Sequence, residues 1–300
     1  MTNPRVERDA STGRPIFLAP HRRARPMHTV PGKDGKEQCP FCPGAESQTP
    51  PEVDAVRLDG SRPDTPGWVV RAFENRFPAS SAHEVIAEGP AHTPRPAALD
   101  APTWRHVLPV WRRRIAHVEA QPGIAHAFLF KNVGREAGAS IAHNHSQLLG
   151  MPELPPRLRA ELDEDRRTGG HVHHELKDAE RDDRIVAAGS RFAVFTPRHP
   201  KFGHETWLAP FDPADDFDAG SDDGELAELF VAVFRAIDAA LDRPPFNVWL
   251  HRVPSTPFHW HFECQPRTGF LAGLELGADA YINSHDGRDG ARRLREALRS

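Results

Sequence analysis

Apolar positions follow two rhythms along this chain. Short apolar runs bounded by Pro, Gly or Asn predict strands at Trp68-Val69-Val70-Arg71, Glu84-Val85-Ile86-Ala87 and Ala127-Phe128-Leu129-Phe130. The same reading gives strands at Phe192-Ala193-Val194-Phe195, Thr206-Trp207-Leu208, Asn247-Val248-Trp249-Leu250 and His259 to Cys264. The second rhythm is helical. Trp104, Val107, Leu108, Trp111, Ile115 and Val118 form one stripe, capped by Asp100 with Pro102 in the first turn and a kink expected at Pro109. Leu226, Leu229, Phe230, Val233, Phe234, Ile237 and Leu241 form another, starting near Asp223. Before Cys39 no periodicity is sustained, which predicts an irregular arm. Met151 to Asp183 is proline-bearing and charge-dense, which predicts a connection between two halves.

The halves repeat. Arg76-Phe77-Pro78 with His83-Glu84 and Pro90 answers to Arg198-His199-Pro200 with His204-Glu205 and Pro210, about 121 residues on. Asn132 with His143-Asn144-His145-Ser146-Gln147 answers to Asn247 with His259-Trp260-His261-Phe262-Glu263, about 116 residues on. A helix stands between the His-Glu strand and the His-x-His strand in each. The expected architecture is α+β: an arm over residues 1–36, then duplicated units over 37–165 and 166–300, each of antiparallel strands with one main helix.

Composition narrows the partners. The 300 residues, 38% hydrophobic, suffice for a core in each half. Lys plus Arg number 38 against 42 Asp plus Glu, a net charge of -4, which argues against a nucleic-acid coat or a membrane-surface protein. No run approaches a membrane span and no apolar signal core lies in residues 1–20, so the cytoplasm is the expected location. Three cysteines, two of them paired closely, favour metal binding over a disulfide framework.

The chemistry concentrates in His143-Asn144-His145-Ser146-Gln147. On a strand, His143, His145 and Gln147 share a face. Upstream, Asn132 to Ser140 is a glycine-bearing turn whose backbone N–H groups and Ser140 hydroxyl can receive phosphate oxygens. An imidazole beside a phosphate cradle suggests nucleophilic attack on phosphorus, with neutral donors such as Gln147 on the nonbridging oxygens. Cys39-Pro40-Phe41-Cys42 offers half a tetrahedral zinc site. No histidine pair follows at finger spacing, so the site closes across the fold, with His92 and His143 as the other ligands; the alternative is a metal-free pair of buried thiols. Duplication suggests a second divalent metal in the second half, held by His171, His174 and His259 with Asp212 or His251 nearby. Cys264 reads as a core thiol, and Arg292, Arg293 and Arg295 as a solvated helix face.

The Cys pair, Phe73-Glu74-Asn75-Arg76-Phe77-Pro78, His83 to His92, and Asn132 to Gln147 together resemble the galactose-1-phosphate uridylyltransferase family of the histidine-triad superfamily. Phe258 to Arg267 and Leu271 to Gly277 resemble its C-terminal half. The resemblance implies a duplicated histidine-triad (HIT-like) fold and ping-pong transfer of a nucleoside monophosphate through a covalent histidine. It places His145 at the nucleophile, Gln147 on the transferred phosphoryl group, and Asn132, Gly138 and Ser140 on phosphate. Asn75 and Phe77 fall on the nucleotide-binding segment, Glu275 on sugar hydroxyls, and Cys39, Cys42, His92 and His143 on zinc. Asn144 departs from the proline common between the two histidines, and Gly269 and Leu274 thin the match at the sugar. The implied substrates are a nucleotide sugar with a sugar phosphate or phosphate, and a homodimer is compatible.

Three readings follow. One is transfer to a sugar phosphate. The second is phosphorolysis or hydrolysis, using phosphate or water as acceptor. The third is a zinc-stabilised nucleotide-binding protein without catalysis, against which the pairing of His145 with Gln147 speaks.

Overall fold

The computed structural model describes residues 4–24, 39–220 and 222–299. Strands β1 (Arg5–Arg8) and β2 (Pro15–Leu18) form a hairpin, followed by β3 (Glu52–Arg57), β4 (Trp68–Glu74) and β5 (His83–Glu88). Helix α1 (Ala101–Glu119) leads to β6 (His126–Val133) and β7 (His145–Met151). After α2 (Pro156–Thr168) and α3 (His171–Arg181) come β8 (Ile185–Ala188), β9 (Phe192–Phe195) and β10 (Thr206–Pro210). Helix α4 (Asp223–Ala240), β11 (Phe246–His251), β12 (His261–Pro266), α5 (Gly273–Ala278) and α6 (Gly287–Arg299) complete the chain.

Ten of the strands form one antiparallel sheet in the order β3-β4-β5-β7-β6-β11-β12-β10-β9-β8. Read from either edge inward, the order is the same, so the two five-stranded halves meet where β6 pairs with β11 and Asn132 faces Asn247. This is the α+β, duplicated antiparallel architecture expected from the repeats.

Side-chain alternation divides the sheet into two surfaces. Val70, Ala72, Ile86, Leu129, Leu148, Val248, Leu250 and Phe262 point to one face, where α1 and α4 cover them with Trp104, Leu108, Trp111, Ile115, Phe230 and Phe234. The aromatic rings interlock, Trp104 stacking on Phe230 with centroids 5.2 Å apart. Asp100 caps α1 by accepting from Thr103 N, and the helix continues unbroken through Pro109. Several buried polar groups in this layer are paired: Trp111 Nε1 donates to Ser146 Oγ at 2.8 Å, and Arg114 grips Glu84 with two hydrogen bonds of 2.8 and 2.6 Å, while Trp104 Nε1 has no partner among the described residues.

One sequence expectation needs correction. The arm is not irregular throughout, since β1 and β2 pair around a turn in which Asp9 accepts from Ser11 and Thr12 and Gly13 takes φ +67. These four-residue strands leave Ile16 and Leu18 exposed, so they carry no strong burial pattern; residues 25–38 of the arm lie outside the described residues. The segment read as a connection does join the two halves, running from β7 to β8, and does so as α2 and α3. Leu158 and Leu162 on one, and Val172, Leu176 and Ala179 on the other, suffice to bury one narrow stripe each. Cys264 is buried as expected, and α6 buries Leu294; Arg292 and Arg293 are exposed as expected, but Arg295 is half-buried and donates to the Asp183 and Ile185 carbonyls. Among the described residues no helix is long and apolar enough to cross a membrane.

Two buried imidazoles make stability pH-dependent. Burial, with Arg252 and His251 nearby, pushes His126 down to about 3, and burial with His285 and Arg293 pushes His204 down to about 4. Both folded values lie below the unfolded one, so the unfolded chain binds protons first as pH falls. Their stabilising effect is complete above about pH 6.5 and is lost as pH drops toward 4. Urea melts at pH 7.5 and 5.0 should show a lower midpoint at the acid value, with His126→Asn weakening the dependence; equal dependence in variant and parent would remove His126 from the account.

Candidate active site

The sheet face away from α1 and α4 carries His83, His145 and Gln147. His83, Val85 and Ala87 on β5 lie beside His145, Gln147 and Leu149 on β7 in strict register. Phe130 of β6 faces Gln147 from the other side. His145 is buried, and its Nδ1 lies 2.7 Å from the carbonyl oxygen of His143. A carbonyl only accepts, so the proton sits on Nδ1 and the lone pair on Nε2. The Phe41 ring meets the imidazole edge-on at 5.2 Å, which fixes its plane.

The turn after β6 is built on two glycines with left-handed backbone, Gly134 at φ +86 and Gly138 at φ +94, flanking a single helical turn over Arg135–Ala137. A side chain at Gly134 would also meet Pro245 at 2.9 Å. Asn247 braces the turn from across the internal two-fold, its Nδ2 donating to Asn132 Oδ1 at 2.8 Å and to the Ala137 carbonyl at 2.9 Å. Ser140 follows, half-buried. The segment after β4 is held by Asn75 Oδ1 accepting from Phe77 N at 2.9 Å. The lead-in docks on it, with Arg22 donating to the Phe77 carbonyl and His21 lying 2.8 Å from that of Pro78. Glu275 stands apart on α5, its carboxylate accepting from Ala272 N.

Cys39, Cys42, His92 and His143 converge, with ligand atoms all within 4.8 Å of one another. Cys42 Sγ lies 3.3 Å from His92 Nδ1 and 3.5 Å from His143 Nδ1. Metal–ligand bonds of about 2.0–2.3 Å around a tetrahedral zinc give edges of about 3.3–3.8 Å, which these match. His143 Nε2 donates to the Gly89 carbonyl at 2.9 Å, leaving Nδ1 bare toward the thiols. Burial holds His143 at about 4, neutral as a ligand must be, and pushes the Cys39 thiol up to about 12, so a thiolate there needs a cation beside it. This group can hold a metal ion.

Beneath His145, on the helix-covered face, lies a buried charge network. Lys131 Nζ donates to Glu88 and, at 3.0 Å, to the His145 carbonyl. Asn144 Nδ2 donates to Glu88 Oε2 at 2.9 Å. Asn144, between the two histidines, therefore turns away from the 134–140 turn and toward Glu88.

The second metal set expected from sequence is not brought together. His259 Nε2 gives its hydrogen to the Pro210 carbonyl at 2.8 Å, as His143 does to Gly89, but its ring neighbours His173, at 6.2 Å, rather than His171 or His174. No counterpart of the Cys pair exists; α3 covers Ala193, Phe195 and Ala209 where the Cys39–Phe41 turn covers Phe73, Val85 and Ala87. The group that does converge is Glu161, His251, His261 and Glu263. His251 Nδ1 is 2.7 Å from Glu161 Oε2 and 3.2 Å from Glu263 Oε1, while Arg157 donates to both oxygens of Glu263 at 2.6 Å. Burial alone would lower His251, yet the two carboxylates outweigh it and raise its pKa.

Sequence reasoning assigned no role to His83, Lys131, Glu88, Arg157 or Glu161. The paired His-Glu repeats at His83 and His204 are the one signal that singled out any of them.

The family profile described as galactose-1-phosphate uridyl transferase, N-terminal domain, matches residues 70–155. An ADP-glucose phosphorylase of Arabidopsis thaliana is 27% identical, over 98% of this chain and 93% of its own length. A galactose-1-phosphate uridylyltransferase of Streptomyces lividans is also 27% identical, over 94% of this chain and 78% of its own. The crystal structure of an Arabidopsis thaliana ADP-glucose phosphorylase with bound ADP-glucose superposes with a TM-score of 0.77, at 27% identity, covering 98% of this chain and 99% of that one.

Proposed function

We propose that this relative of the galactose-1-phosphate uridylyltransferase family, whose named homologues are enzymes of nucleotidyl chemistry, moves a nucleoside monophosphate from a nucleotide sugar to a phosphate-bearing acceptor through His145. The observation that carries the reading is the His143 carbonyl on His145 Nδ1, which leaves the Nε2 lone pair on the sheet face shared with Gln147 and Asn132. In the first half-reaction Nε2 attacks the α-phosphorus in line, a P–N bond forms, and the P–O bond to the sugar phosphate breaks. In the second, an acceptor oxygen attacks the same phosphorus and imidazole leaves. Gln147, Ser140 and backbone N–H groups of the 134–140 turn supply neutral donors to the nonbridging oxygens. Asn75 and Phe77 line the nucleotide side.

Transfer to a sugar phosphate and phosphorolysis differ only in the second acceptor. Phosphorolysis is supported by the ADP-glucose phosphorylase likeness over nearly the whole chain, and by Gly269 and Leu274 where a hexose-binding site offers larger or polar groups. Glu275 lies on a segment with Phe270, Leu276 and Ile282 exposed at 93, 74 and 78%, a surface that suits a homodimer in which a second copy covers it. Incubating the protein with base-labelled ADP-glucose or UDP-glucose, and offering galactose 1-phosphate, inorganic phosphate or water, identifies donor and acceptor together. Label reaching none of these from either donor would overturn the function.

Cys39, Cys42, His92 and His143 fit zinc with no position left for water, which makes the ion structural, holding His145 two residues from a fixed ligand. Glu161, His251, His261 and Glu263 fit a second divalent cation, since their ligand atoms all lie within 4.8 Å of one another and Glu161 Oε2, His251 Nδ1 and His261 Nε2 are buried. Elemental analysis should find zinc in the parent. Cys42→Ser should lose one equivalent and lower the melting temperature, while His261→Ala should leave the zinc in place. Zinc-free parent protein with full activity would refute the structural role.

A further inference from the structure

We propose that His83 is a positioning residue that fixes which way the Gln147 carboxamide faces, so that its nitrogen, and not its oxygen, is offered to the phosphoryl group. This rests on the reading of Gln147 as a donor to that group.

The direction of the hydrogen-bond chain follows from one backbone group. Ala79 N–H points at His83 Nδ1 at 3.0 Å. A backbone N–H can only donate, so Nδ1 carries the lone pair and the hydrogen of the neutral imidazole is on Nε2. Nε2 lies 3.1 Å from Gln147 Oε1, both side chains being buried. The imidazole donates and the amide oxygen accepts, which commits Oε1 to the protein and turns the two N–H bonds of Gln147 elsewhere. Reversing the amide would set its N–H groups against Nε2–H, donor against donor.

Asn75 does not compete for that hydrogen. Its Nδ2 approaches His83 Nε2 at 3.3 Å, but its Oδ1 already accepts from Phe77 N, so the two nitrogens meet as donors and only pack. The main chain of the same histidine accepts from Asn75 N at 2.7 Å. His83 thus stands between the nucleotide-side loop and the residue two places beyond His145 on the same strand face.

The consequence is electrostatic. A glutamine rotated by half a turn about its last bond presents an acceptor to an anionic phosphoryl oxygen and repels it, and the two orientations differ little in shape. Removing a single donor of this kind lowers turnover by about a hundred- to a thousandfold in well-studied sites; releasing the amide to sample both orientations should cost less, about ten- to a hundredfold.

The test is a double-mutant cycle read in transfer of base-labelled nucleotide from ADP-glucose and UDP-glucose, with folding of each variant checked by thermal melting. His83→Ala should lower kcat about ten- to a hundredfold with KM within about threefold. In a Gln147→Ala background the same change should cost less than about twofold, because nothing remains to orient. His83→Gln, which keeps an N–H near the Nε2 position, should recover to within about threefold of the parent, and His83→Glu, which offers only acceptors, should fall below His83→Ala. Multiplying effects in the double variant, or a His83→Gln protein no better than His83→Ala, overturn the proposal. Should His83→Ala fail to fold, His83→Gln and His83→Glu decide alone, since equal activity in those two also overturns it. If Gln147→Ala turns over like the parent while His145→Ala is dead, the inference fails and the nucleophile stands; if His145→Ala keeps the parent rate, the underlying reading fails instead.

Discussion

His145→Ala is expected to lower nucleotidyl transfer at least about ten-thousandfold, roughly 5.5 kcal/mol of transition-state stabilisation, without loosening the fold. The size follows from what is lost: His145 is the imidazole on this face whose Nδ1 is held by the His143 carbonyl, which puts the ring's lone pair on Nε2. The fold should survive because His143, two residues earlier, keeps both its contact with Cys42 and its hydrogen bond to Gly89. The melting temperature should stay within about 3 °C of the parent. His145→Gly provides the sharper measurement, since free imidazole added to that variant should accept the nucleotidyl group from donor, separating loss of the nucleophile from collapse of the pocket. Acid-labile label accumulating on the alanine variant at the parent rate would assign the nucleophile elsewhere. His261, which occupies the corresponding strand position in the second half, would be examined next.

The strands and helices that bury a full face were legible. β4 to β6, β9 to β12, α1 and α4 show apolar runs or stripes, because one side of each packs against the layer between sheet and helices, and β7 showed through its His-x-His-x-Gln motif instead. β3 and β8 were not, because they are the two edges of the sheet and bury little: only Val186 of β8 is fully buried, and no residue of β3 is. α2 and α3 hid in their charge, with only five buried side chains between them.

At the site, residues whose roles are local in sequence could be read. The spacing of His143, His145 and Gln147 puts them on one strand face, and the short Cys39–Cys42 turn announces two ligands. Roles that act through another side chain could not. His83 shows its partner only when β5 lies beside β7, since Gln147 is sixty-four positions away. Duplication helped and also misled: it predicted a second histidine cluster in the second half, but Glu263 in place of Gln147 and the approach of Glu161 on α2 moved that cluster from His259 to His251 and His261.

The pair beneath β7 should be the largest stability determinant of the candidate site. Lys131 and Glu88 are almost fully buried at 3 and 0% exposure, and burial drives the Lys131 pKa down despite the Glu88 charge beside it. Glu88 Oε1 has no hydrogen-bond partner among the described residues, so the carboxylate depends on Lys131 and on Asn144 through its other oxygen. Lys131→Met leaves that charge buried and unpaired, which should cost about 3–5 kcal/mol, and also strips the His145 carbonyl of its donor. Asn144→Pro, which restores the residue common in the family, removes one charge-assisted hydrogen bond and should cost about 1.5–3 kcal/mol. Urea melts should therefore rank Lys131→Met below Asn144→Pro. Adding Glu88→Gln to Lys131→Met should recover at least half the loss, because a neutral amide no longer needs the ammonium but still accepts from Asn144. A double variant as unstable as the two single losses added together would show that Lys131 and Glu88 do not act as a pair.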